Sequence, residues 1–281
     1  ASARMTVSGY CCSLRQTTAV MPFPYDDPIW DTAHHAHGVG ANVLLEELER
    51  EWSDDAADYL FFSALLHQGT TYPASYLAIP HLLRLAENLT GEPRLMIAGL
   101  MGGLALAGQQ PAHHFGVSCT ADSAWLETQV GKAAAEEFKR SLPQIRTLSV
   151  EAYKTRPYHY FASGMAAAEG EIEFAKWREI GENGGLQCPT CGGDHEWWLL
   201  DGKMGSYWND DVFGAGADWL GDYDNRVFEH ANSIAKPGTE PSHISVLRKE
   251  LGSLDPITDA LFANFKSTVV CAHCGWVRHH Q

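Results

Sequence analysis

The segment Gly40-Ala41-Asn42-Val43-Leu44-Leu45-Glu46-Glu47-Leu48-Glu49-Arg50-Glu51-Trp52 decides the fold class. Val43, Leu44, Leu45 and Leu48 recur at helical spacing along one face, while Glu46, Glu47, Glu49 and Arg50 occupy the other. A short helix with one apolar stripe is stable only against a partner, and partners follow along the chain. Asp54 or Asp55 is placed to cap a second helix over 57–67, apolar at Leu60, Phe61, Ala64 and Leu65 and stopped by Gly69. Tyr72-Pro73 opens a third that ends near Asn88 and turns Ile79, Leu82, Leu83 and Leu85 inward. A fourth, 94–108, starts after Glu92-Pro93 and is apolar on most sides, which makes it central. Asp122 or Ser123 caps a helix holding Trp125, Leu126, Val130 and Phe138, Pro143 opens another with Ile145 and Leu148 inward, and a last stretch runs from Tyr158 to Ile180. Short links between amphipathic helices imply antiparallel neighbours, and consecutive pairs of this kind stack into an α-solenoid. Residues 1–24 lack periodicity and read as an N-terminal arm, which leaves 25–183 as a helical repeat domain.

Past Gly184-Gly185, a linker signal, the pattern changes. Glu196-Trp197-Trp198-Leu199-Leu200 reads as a strand ending in an Asp201-Gly202 turn, and 205–225 as an ordered loop. Helices are expected over 242–251 and 256–265, the second capped by Asp255 with Pro256 behind it, and Val269-Val270 as a strand. Two Cys-x-x-Cys-Gly motifs frame this region, Cys188/Cys191 and Cys271/Cys274. Two thiolates three positions apart reach one ion from a tight turn, and the following glycine is free to take the positive φ that turns backbone amides toward the sulfurs. Two such knuckles supply a four-thiolate tetrahedral site for one Zn2+, structural because no position is left for water. The arrangement looks like a zinc ribbon whose halves are separated by roughly eighty residues, against the ~15–20 of a compact ribbon. Redox pairing is disfavoured by the lack of a dense cysteine framework or a βαβ pattern; Cys11, Cys12 and Cys119 read as ordinary small residues. The expected fold is therefore mainly α: a solenoid followed by a small α+β zinc-ribbon-like domain, 184–281, with inserted helices.

The chain has 281 residues, a formal charge of −15 and 45% hydrophobic residues, a globular composition long enough for one large domain or two smaller ones. No window approaches the roughly 18 apolar residues of a membrane span, and the opening lacks the layout of a secretory signal, so a cytoplasmic setting is expected. Net negative charge disfavours a nonspecific grip on nucleic acid and fits a basic protein partner. Lys266, Trp276, Arg278, His279 and His280, near the second knuckle, form the one short patch that supports the rival reading of nucleic-acid binding. No phosphate-cradling Gly-x-x-x-x-Gly-Lys loop, Gly-x-Ser-x-Gly elbow or His-Glu-x-x-His occurs, which weakens enzyme readings.

Three groups remain as candidate sites. His34, His35, His37 and His67 admit a metal or acid–base reading, but the preferred one is structural, with the histidines bonding loop carbonyls and helix ends. Asp210-Asp211 with Asp218, Asp222 and Asp224 lacks the ligand spacing of a calcium loop. Trp208, Asp210, Asp211, Trp219, Asp222 and Tyr223 combine aromatic and acidic side chains as a protein-binding hot spot does and mark the expected partner surface.

Trp30, His34/His37-Gly38, His67-Gln68-Gly69-Thr70 with Tyr72 and Ala74, and Ile79-Pro80-His81-Leu82-Leu83 resemble a group of bacterial HEAT-repeat-like proteins, some of which carry a Cys-x-x-Cys after the helices. The resemblance covers about a third of the chain. It implies an α-solenoid used as a binding surface, in a toxin–immunity or contact-dependent competition setting.

Overall fold

Ala41, Leu45 and Leu48 lie on one face of α1 (Ala41–Arg50) and are buried, while Val43, Glu46, Glu47 and Arg50 face outward. The structure is a computed structural model and describes residues 23–109, 124–181, 185–187, 190–191, 194–200, 203–208, 233–234, 241–265, 269–270, 274 and 277–278. The arm proposed for 1–24 and the Asp122 or Ser123 cap lie almost wholly outside them.

The next helix departs from expectation at both ends. Ser53, rather than Asp54 or Asp55, caps α2 (Asp54–Asp58) by accepting from the Ala56 amide. α2 then passes into a π-helical turn, Tyr59–Leu65, and the chain leaves it as β1 (Leu66–His67), so His67 is in a strand. Gln68 (φ 51) and Gly69 (φ 74) are both left-handed and form the two-residue turn that pairs β1 with β2 (Thr70–Thr71). A left-handed glutamine carries a steric cost that glycine does not, so this turn is held by its surroundings.

α3 (Pro73–Asn88) and α4 (Glu92–Ala107) each carry a proline in the first turn, where its missing amide is not needed. α4 is buried on nearly all sides, as its lack of a polar face requires. The two helices expected on either side of Pro143 are one, α5 (Gln129–Thr155), capped by Thr128. Pro143 and Lys139 are both exposed, so the Lys139 carbonyl that loses its amide partner can be hydrated, and packing of the opposite face keeps the helix running. Conversely, the single stretch expected from Tyr158 to Ile180 is two helices, α6 (His159–Ala168) and α7 (Ile172–Gly181). Gly170 (φ 86) ends α6: its amide donates to the Ala167 carbonyl and the Glu171 amide to that of Ala166, which is a Schellman cap.

Helices pack on neighbours that are not all consecutive in the chain: α3 against α1, α4 and α5, and α6 against α4, α5 and α7. This is a mainly helical, repeat-like packed fold. α4 and α6 meet backbone to backbone, since a Cβ on Gly102 would lie 2.8 Å from the Gly164 Cα. α8 (Ser242–Leu251) and α9 (Pro256–Asn264) join the same core through Ile244, Leu247, Leu251, Leu261, Phe262 and Phe265. Phe262 packs on Phe174 of α7 with ring centroids 4.6 Å apart. Asp255 caps α9 as expected and exchanges hydrogen bonds with the buried Tyr153, donating from its amide and accepting from the phenol.

The remaining strands form an open four-stranded antiparallel sheet, β3 (Gly185–Gln187), β4 (Asp194–Leu200), β5 (Lys203–Trp208) and β6 (Ser233–Ile234), and a hairpin of β7 (Val269–Val270) with β8 (Val277–Arg278). Leu200 pairs with Lys203, and Asp201-Gly202, the expected turn between them, lies outside the described residues. Gly185, read as linker, begins β3, and 205–208, read as loop, belong to β5.

Candidate functional site

Both Cys-x-x-Cys motifs fall in the connections of antiparallel hairpins. Gln187 opposite Asp194 closes β3–β4 around 188–193, and Val270 opposite Val277 closes β7–β8 around 271–276, six residues each with cysteine first and fourth. β6, at the opposite edge of the four-stranded sheet from β3, lies beside β7 of the separate two-stranded hairpin. Cys191 and Cys274 sit in turns and are exposed, whereas Cys188 and Cys271 lie outside the described residues. Among the described residues, no three His, Cys, Asp or Glu side chains are grouped to hold a metal ion.

Of the expected partner surface, Trp208 ends β5 opposite His195; Asp210, Asp211, Trp219, Asp222 and Tyr223 lie outside the described residues. Calcium-loop candidates Asp218 and Asp224, and Cys11, Cys12 and Cys119, lie outside them as well, as do Lys266, Trp276, His279 and His280 of the basic patch. The described surface presents another acidic and aromatic ledge. Tyr59 and Phe62 are 43% and 42% exposed, and the exposed Asp55 and Asp58 precede them by four residues each, one helical turn away. Val43 on α1 is 52% exposed. Tyr59 and Phe62 are not apparent from the inward stripe of 57–67 itself; their offset from Leu60, Phe61, Ala64 and Leu65 is the sequence signal that places them outward.

The histidines divide by role. Main-chain hydrogen bonds tie 34–38 to its neighbours: the Ala36 amide donates to the Ala64 carbonyl at 3.1 Å and the Ala74 amide to that of His34 at 3.1 Å. His35 is buried, its Nδ1 accepts the His37 amide at 3.1 Å, and burial holds its pKa below the ordinary value. His37 and His67 face each other with ring centroids 5.4 Å apart.

His81, marked in the sequence only as part of a family-like run, bonds a loop carbonyl. Its Nε2 lies 3.0 Å from the Phe23 oxygen and so carries the proton, leaving Nδ1 to accept from Arg84 Nη2 at 3.4 Å. Tyr25 stacks on the ring at 4.4 Å and donates to Glu49 at 2.7 Å, and Arg84 pairs with the same carboxylate, also at 2.7 Å. Burial, chiefly, lowers the His81 pKa from 6.5 to about 4, with Arg84 adding repulsion. The folded form therefore binds fewer protons than the unfolded form between these values. His81's contribution is complete above about pH 6.5 and is lost on acidification toward pH 4, on the order of 3 kcal/mol. His81→Asn should flatten this limb of a plot of urea midpoint against pH; parallel curves for the two proteins would refute the assignment.

Comparison with family models, curated proteins and solved structures finds no match. No helix among the described residues is long and apolar enough to cross a membrane.

Proposed function

We propose that the chain is a non-enzymatic protein-binding scaffold of the adaptor or toxin-immunity kind, in which HEAT-like helices present acidic and aromatic side chains to a basic protein partner. The observation that carries this reading is the ledge of exposed Tyr59 and Phe62 set among Asp55 and Asp58 on a rigid helical framework. Exposed aromatic rings supply contact area and cation–π acceptors at low entropic cost, and the surrounding carboxylates raise the association rate of a basic surface. The charge of −15 acts in the same sense. The expected surface around Trp208, Asp210, Asp211, Trp219, Asp222 and Tyr223 would extend the same chemistry.

A structural Zn2+ held by Cys188, Cys191, Cys271 and Cys274 belongs to this proposal. The residues fit the ion: two hairpins of equal loop length carry cysteine at matching positions, and thiolate sulfur suits a closed tetrahedral zinc site. When bound, the ion cross-links two hairpins that are far apart in sequence.

Affinity capture on the full chain from extracts of the source organism tests the reading. A basic protein should be retained at low salt, released as salt rises, and lost with Tyr59→Ser/Phe62→Ser. Retention of no protein at either salt would count against it.

A further inference from the structure

We propose that His37 and His67 form an open site for a borderline divalent transition metal such as Ni2+, Cu2+ or Zn2+, separate from the cysteine knuckles. Two imidazoles bound to one tetrahedral ion at about 2.1 Å set their ring centroids about 5 Å apart; here the separation is 5.4 Å, with the planes inclined by 66°. Among the described residues, none hydrogen-bonds a ring nitrogen of either histidine, so the lone pairs that a metal needs are not committed elsewhere. Neutral imidazole is the preferred protein ligand for this class of ion.

The pair is also held in place from behind. Both histidines lie on segments joined by the hydrogen bond from the Ala36 amide to the Ala64 carbonyl. The His37 amide is fixed by His35 Nδ1, and the His35 amide and carbonyl both bond Gly38, at 2.6 and 3.1 Å. His67 is set by the tight turn at Gln68-Gly69, and the Tyr59 ring lies nearly parallel to His37, inclined by 20° at 6.1 Å. His37 is exposed and His67 half-buried, so an ion can reach the pair from solvent. With no third ligand grouped among the described residues, the remaining coordination positions belong to water or to an incoming donor.

The test is calorimetric titration of the zinc-loaded full chain with Ni2+, comparing wild type with His37→Ala, His67→Asn and, as a control away from the pair, His243→Ala. Because two ligands on one scaffold bind far better than either alone, each variant of the pair should weaken one equivalent of Ni2+ at least about tenfold. The control should leave it unchanged. His37→Ala removes an exposed side chain, so it reads the site without depending on refolding. The proposal is overturned if His37→Ala binds Ni2+ as wild type does, or if wild type takes up no Ni2+ beyond the His37→Ala level.

Discussion

Gly164→Ala should destabilise the protein by about 2–3 kcal/mol, even though alanine is the better helix former by about 1 kcal/mol. The added Cβ would meet the Gly102 Cα at 2.8 Å and the Ser149 Oγ at 2.9 Å. One of these neighbours is backbone of another helix and cannot rotate away, so α4 and α6 must separate and their shared interface must loosen. Gly99 supplies the contrast, because it lies in α4 with nothing within 4 Å of its added Cβ. Gly99→Ala should therefore stabilise by up to about 1 kcal/mol, the propensity gain alone. Opposite signs in the chemical-denaturation midpoints are the expected result; the same sign at both positions would show that the crossing is not as close as described.

Asp255→Ala has the second large effect, a loss of about 3 kcal/mol. One carboxylate accepts the Ile257 and Thr258 amides at the start of α9, each at 3.1 Å, and also bonds the Thr258 hydroxyl and the Tyr153 phenol. Removing it costs the cap, about 1 kcal/mol, and leaves a buried phenol without its acceptor, about 1–3 kcal/mol. Tyr153 is fully buried in α5, so it cannot turn to water instead. Asp255→Asn keeps an oxygen for the cap and should recover part of the loss in a urea titration. An Asp255→Ala protein within 0.5 kcal/mol of wild type, about the effect of a neutral surface substitution, would refute this role.

The same residues show why some of the fold was legible in the sequence. α1, α3, α4, α8 and α9 are announced by a single apolar stripe, a first-turn proline or an acidic cap, all local signals. The misplaced boundaries are those where packing or solvent access outweighed a local signal. Pro143 reads as a helix start, but on an exposed face the lost hydrogen bond is cheap. Gly170 in an alanine-rich run reads as tolerable, yet its left-handed φ ends α6. His67 reads as the end of a helix because the left-handed Gln68, which completes the turn, belongs to a residue type that seldom adopts that conformation. As for the candidate site, the cysteine spacing was visible in sequence, while the hairpins around it depend on pairing with strands too short to announce themselves, Gly185–Gln187 and Val277–Arg278. The pairing of His37 with His67 required the fold, since thirty residues of chain separate them.

In the proposed zinc site two knuckles distant in sequence, Cys188/Cys191 and Cys271/Cys274, would converge on one ion and lock this end of the chain. Elemental analysis of the purified full chain measures that directly. About one zinc per chain is expected, lost in Cys188→Ser and in Cys274→Ser together with order in the C-terminal hairpins, because such a site forms only as its hairpins fold. Protein free of metal, with these four cysteines joined in disulfides, would contradict it.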